Sequence, residues 1–99
     1  MLKSTLTFFD DDLKQSLSDR LKRIEGQVRG VERMLQEDQP CAQVLHQISA
    51  TQAALHGVSA VVLRNYLEHC VADAIQSGDR RRKDAVLNEL MDVVKRFGR

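Results

Sequence analysis

Apolar residues recur along the first third of the chain at helical intervals: Leu13, Leu17, Leu21, Ile24, Val28, Val31 and Leu35 are separated by steps of three or four. Such spacing puts them on one face of an α-helix. Asp12 with Gln15 three positions on has the form of a capping box. A first helix over about 13–37 is therefore expected, behind a flexible N-terminal tail of residues 1–12. Gly26 and Gly30 lie inside it, a costly placement unless another backbone packs closely there. Asp38 suits an N-cap and Pro40 a first helical turn, which starts a second helix near residue 39. No Pro or Gly run interrupts it before Ser77 and Gly78, so it should extend roughly 58 Å at about 1.5 Å per residue. A third helix over about 81–97 carries Val86, Leu87, Leu90, Met91, Val94 and Phe97 on one face and stops at Gly98. Residues 13–97 are thus expected to form a single helical domain.

The central helix is longer than a globule of this size is wide. Its apolar positions, Leu45, Ile48, Leu55, Val58, Val62, Leu67 and Val71, cover more than one stripe. The first helix can cover one stripe, and a second copy of the chain is the economical cover for another. The expectation is an all-α, three-helix subunit completed as a helical dimer or as a dimer of dimers.

Composition agrees with a helical fold and against a β-sandwich: 42% of the 99 residues are apolar, 4% are aromatic, and there is one Pro and no Trp. No run approaches 18 apolar residues, and the N-terminus lacks a signal peptide's apolar region. A cytoplasmic protein without membrane contact is expected. The formal net charge of +1 conceals alternating blocks: −2 over residues 1–19, +3 over 20–35, −4 over 36–79 and +4 over 80–99. Arg20, Lys22, Arg23, Arg29 and Arg33 make the first helix basic, with Lys22, Arg29 and Arg33 near one stripe. Repeated by symmetry, that face becomes a broad surface for nucleic acid. The run Arg80 to Lys83 falls at a helix junction, as phosphate contacts or as a solvated turn. No nucleophile, base and oxyanion donors converge, so an enzyme is not expected.

Cys41 and Cys70 are 29 residues apart on the second helix, about 43 Å along its axis and within about 20° of the same face. They cannot meet within one chain. In an antiparallel pair whose two-fold axis lies near residues 55 and 56, Cys41 of each copy faces Cys70 of the other. Cys41 sits in the first turn, where the helix dipole favours a thiolate. His46 and His69 lie off the thiol stripe, and His56 near the two-fold is expected to be structural.

Arg20 to Leu35 (RLKRIEGQVRGVERML), Asp38 to Cys41 (DQPC), Gln47 to Ala50 (QISA) and Asn65 to Cys70 (NYLEHC) together closely resemble the copper-sensing operon repressor family. Relatives in that family sense nickel or cobalt, formaldehyde, or persulfides. The resemblance implies an all-α, three-helix subunit whose antiparallel dimer assembles into a dimer of dimers, a homotetramer, and a repressor without a helix-turn-helix that leaves its operator DNA when an inducer acts between subunits. It places Lys14, Arg20, Lys22, Arg23, Arg29, Arg33 and Gln52 at the DNA. It makes Cys41 and Cys70 the sensing thiols and matches Glu89 to a glutamate that supports the His ligand of copper-sensing relatives. Tyr66 is then either a packing residue or a hydrogen-bond partner of Glu89, and His69, by its position, a solvated residue or a base for Cys70.

Copper sensors of the family add a His to the two cysteines, and here Tyr66 occupies that position; a phenol is a hard oxygen that Cu(I) has little reason to select. Persulfide sensors keep both cysteines and dispense with the His. The inducer expected from the resemblance is accordingly a persulfide or polysulfide that bridges Cys41 and Cys70, with no cofactor. The alternatives are Cu(I) held by the same two cysteines and a helical interaction module without specific DNA binding.

Overall fold

Asp10, rather than Asp12, opens the first helix: its Oδ1 accepts the Leu13 N–H at 2.8 Å, and its carbonyl accepts the Lys14 N–H at 3.0 Å. Two further acids follow in the first turn, where they oppose the positive end of the dipole. Gln15 does not reach back to the cap but forward, donating to Asp19 Oδ1 at 2.9 Å. In the computed structural model, which describes residues 9–97, the elements are α1 (Asp11–Gln36), α2 (Cys41–Asn65), a π-helical segment (Tyr66–Val71), α3 (Ala72–Gln76) and α4 (Arg80–Phe97). The segments α2, π and α3 follow one another without an intervening turn, so the fold is all-α with three helices, and no strand occurs among the described residues. The expected tail over residues 1–12 lies, up to Phe8, outside the described residues; Asp11 and Asp12 are already helical.

Asp38 does not cap the second helix. It adopts φ +55° and closes the first helix instead: its N–H donates to the Leu35 carbonyl at 3.3 Å, and the Gln39 N–H donates to the Met34 carbonyl at 3.0 Å. That pair of bonds is the Schellman arrangement, with Asp38 in the left-handed position usually given to Gly. The start of α2 falls instead to Pro40, whose carbonyl accepts the Gln43 and Val44 N–H groups at 2.9 and 3.1 Å. Pro40 has no N–H to lose, so it sits at the boundary without cost.

The chain divides into two compact units, Phe9–Val62 and the residues from Leu63 onward. In the first, Leu17, Ile24 and Val58 are buried together, with Phe9, Leu13, Ala54 and Val61 packed on them. Every second turn of the apolar stripe of α1 is thus used. Leu21, Val28 and Leu35, spaced by seven and so on one line of α1, remain 41%, 55% and 61% exposed. Among the described residues no other backbone approaches Gly26 or Gly30: a Cβ at Gly26 would meet the Arg29 guanidinium at 3.8 Å, and one at Gly30 would meet open space. The close packing expected at the glycine step is not made within the chain.

In the second unit Val71, Ala74 and Val86 form the core, covered in part by Tyr66 and Leu90. Gly78, at φ +72°, reverses the chain between α3 and α4. Ser77 Oγ stitches that turn, donating to the Ala74 carbonyl at 2.7 Å and accepting the Asp79 N–H at 3.1 Å. Among the described residues, no helix is long and apolar enough to cross a membrane.

Candidate functional site

The π segment is the principal departure from the expected helix, and it carries Tyr66, His69 and Cys70. Insertions of this kind break the regular α ladder and recur at functional sites. A π turn holds more residues than an α turn, so the expectation that Cys41 and Cys70 share a face, which assumes α geometry throughout, does not carry across residues 66–71.

Cys70 is buried, at 4% exposure, whereas Cys41 is exposed at the first residue of α2, and neither is in a disulfide. Each belongs to a different unit of the chain. Burial pushes the Cys70 thiol above its ordinary range; Glu89 and Asp73 add to that rise, and Arg82 works against it. Sequence reasoning missed Asp73 and Arg82. Asp73 is one turn beyond Cys70, and Arg82 pairs with it across the Ser77–Gly78 reversal. The signal available was Gly78, whose left-handed turn returns α4 past the π segment.

The Tyr66 hydroxyl donates to Glu89 Oε1 at 2.7 Å, and the Val86 carbonyl lies 3.5 Å from the same oxygen. Burial, that hydrogen bond and the Glu89 charge all push the phenol far above its ordinary range, so it stays protonated at neutral pH. Of the two roles open to Tyr66, packing or a bond to Glu89, the structure shows the bond. His69 is exposed on the same segment. Among the described residues no group of three or more His, Cys, Asp and Glu gathers as a metal cluster.

Lys14, Arg20, Lys22, Arg23, Arg29 and Arg33 are all exposed along α1, and Gln52 is exposed on α2. With α1 regular from Asp11 to Gln36, Lys22, Arg29 and Arg33 lie within about 40° of one another around the axis. Among the described residues none of these six cations forms an ion pair with a carboxylate.

The profile of the metal-sensitive transcriptional repressor family matches residues 13–96. The copper-sensing transcriptional repressor CsoR of Bacillus subtilis (strain 168) is 46% identical over 93 residues, covering 94% of this chain and 89% of that protein. The copper-sensing repressor RicR of Mycobacterium tuberculosis (strain ATCC 25618 / H37Rv) is 48% identical over 65 residues, covering 66% of this chain and 68% of the relative. In three dimensions the chain is similar to the copper-sensing repressor CsoR with Cu(I) from Geobacillus thermodenitrificans NG80-2, with a TM-score of 0.85, 43% identity and 94% of each chain covered. It is also similar to the nickel-responsive transcriptional regulator InrS, with a TM-score of 0.73, 35% identity and coverage of 93% of this chain and 98% of that one. These relatives are regulators of transcription, not enzymes. On the profile match and the identity across nearly its whole length, the chain belongs to the metal-sensitive transcriptional repressor family.

Proposed function

We propose that the protein is a cytoplasmic, copper-responsive transcriptional repressor, which holds operator DNA through the basic stripe of α1 with Gln52 and releases it when Cu(I) binds Cys41 of one copy and Cys70 of a facing copy. The observation that carries this reading is a pair of cysteines outside any disulfide on a chain whose relatives of 46% and 48% identity are named as copper sensors. Two thiolates are a soft donor set that suits a monovalent soft ion. Tyr66 is no metal ligand in this reading, because its hydroxyl keeps its proton and donates it in a hydrogen bond to Glu89.

Release follows from the two conformations that a repressor must balance: an inducer that binds one of them better shifts the population toward it by that difference in affinity. Binding at both thiols releases their protons and ties the first turn of α2 in one copy to the π segment of another. The uncovered line Leu21, Val28 and Leu35 supports completion of the core by further copies, as a homotetramer built from dimers.

The persulfide reading that the missing His suggested takes second place, since the relatives whose names state an inducer respond to copper or nickel. One observation still favours it: the residue in the His position is spent on Glu89, which leaves thiols alone at the site. In that chemistry the Cys41 thiolate takes the terminal sulfur of an organic persulfide and expels a thiolate. The Cys70 thiolate then attacks the new Cys41 persulfide, forming the disulfide and expelling hydrosulfide.

Reduced protein treated with Cu(I) under a competing chelator, and separately with an organic persulfide, distinguishes the two. Operator affinity and intact mass are read in both arms. Copper should weaken DNA binding while persulfide leaves it unchanged. Loss of DNA with persulfide alone, with a mass change mapping to Cys41 and Cys70, replaces the copper reading with the sulfur one.

A further inference from the structure

Arg80, Arg81, Arg82 and Lys83 fill the first turn of α4, the helix end at which the macrodipole already places positive charge. The backbone there is accounted for: Asp79 Oδ1 accepts the Arg81 and Arg82 N–H groups at 3.0 and 3.4 Å, and the Asp79 carbonyl accepts the Lys83 N–H at 2.9 Å. Four successive residues at about 100° each surround the axis, and they divide by role. Arg82 turns to α3 and pairs with Asp73. Arg80, Arg81 and Lys83 fan over about 160° of the remaining surface. All three are exposed, and among the described residues none meets a carboxylate.

Three cations held apart at a positive helix end repel one another; the Asp79 carboxylate caps the backbone there, but among the described residues it forms no ion pair with Arg80, Arg81 or Lys83. They diverge rather than converge, so they do not enclose a small anion. A diverging set is matched by an extended polyanion, in which successive phosphates meet successive side chains. The block from residue 80 to 99 carries +4, more than the +3 of residues 20–35 in the first helix.

We propose that Arg80, Arg81 and Lys83 form a second phosphate-binding surface that grips duplex DNA flanking the operator core held by α1. This rests on the repressor reading above and extends it to a contact outside the expected DNA face. Arg82 belongs to the fold rather than to the surface, because Asp73 already holds it.

The test uses the full chain and two duplexes centred on the same operator upstream of its own gene, one trimmed to the protected core and one extended by about ten base pairs, one helical turn, at each end. Affinity is measured by fluorescence anisotropy between 50 and 200 mM salt for the wild type and for R80Q/R81Q/K83Q. Wild-type protein should show a steeper salt dependence on the longer duplex. The triple variant should lose that excess, about 2.7 in slope and about 40-fold in affinity change across the range if three phosphates are involved. Its binding to the core duplex should not change. R80K/R81K, which keeps the charge, should behave as wild type, and unchanged helicity and assembly mass in both variants show that the fold is intact. An unaltered slope on the long duplex, or an equal loss on both, overturns the proposal. Wild-type protein that binds neither duplex removes the repressor reading itself.

Discussion

The Tyr66 hydroxyl and Glu89 Oε1 stand 2.7 Å apart, joining the π segment to α4 across 23 positions of sequence. The bond lies beside the buried Cys70 thiol, whose protonation Glu89 also favours. A phenol in this position therefore acts on the site by holding α4 in place, since it keeps its proton and offers no soft lone pair.

Removing the hydroxyl should cost little stability and should change its pH dependence. In Tyr66→Phe the exposed Glu89 regains water, so the loss is that of one hydrogen bond, about 1 kcal/mol in urea or thermal unfolding. The raised Tyr66 pKa means that the folded form retains its proton after the unfolded form has lost it. That contribution is complete below about pH 10, the unfolded value, and is lost as pH rises above it. Wild-type stability should fall across that range more steeply than that of the Phe variant, and parallel profiles would count against the bond.

The two thiols should react in a fixed order. Cys41 is exposed, whereas Cys70 is buried and its thiol is pushed up by burial, Glu89 and Asp73. Alkylation of reduced protein at neutral pH, followed by peptide mass spectrometry, should label Cys41 at least about tenfold faster. Arg82→Gln removes a charge that favours the Cys70 thiolate and should slow that residue further while leaving Cys41 unchanged. Equal rates at the two sites would contradict the burial of Cys70.

Helix existence is legible in the spacing of apolar residues because that spacing records which face is buried. Leu17, Ile24, Val58 and Val86, all placed in advance on apolar faces, are core residues of the two units. Helix ends are less legible, because several residues compete for one cap. Asp10, Asp11 and Asp12 are adjacent, and only the geometry selects Asp10. Asp38 has the side chain of an N-cap but the φ of a C-terminal residue, and no periodicity distinguishes the two. The π segment is invisible for the same reason: Tyr66 to Val71 fits an α pattern as well as a π one. At the site, Tyr66 and Glu89 were recoverable through the family resemblance, whereas the Asp73 and Arg82 pair depends on the turn at Gly78.

Asp38→Gly should stabilise the protein. A non-glycine residue at φ +55° carries a steric penalty that glycine avoids. Glycine also gives the unfolded chain more freedom, which offsets part of the gain. The backbone bonds from residues 38 and 39 to Leu35 and Met34 need no side chain and survive the change. A net gain of about 0.5 kcal/mol is expected, seen as a higher midpoint at unchanged m-value. A loss would show that the Asp38 carboxylate contributes more than its backbone costs.

Tyr66→His should convert the thiol pair into a stronger copper site. An imidazole there stands four residues before Cys70 on the same π segment, next to Glu89, which can accept its second N–H and orient the ring. Nitrogen and two thiolates form a donor set for Cu(I) that the phenol does not complete. Competition against a Cu(I) chelator should show affinity at least about tenfold tighter than wild type, a difference of about 1.4 kcal/mol. Adding Cys70→Ser in the same background should abolish the gain, because the imidazole acts together with that thiol. If the His variant binds no tighter, or its gain survives loss of Cys70, then Tyr66 does not occupy the ligand position and the copper site lies elsewhere on the chain.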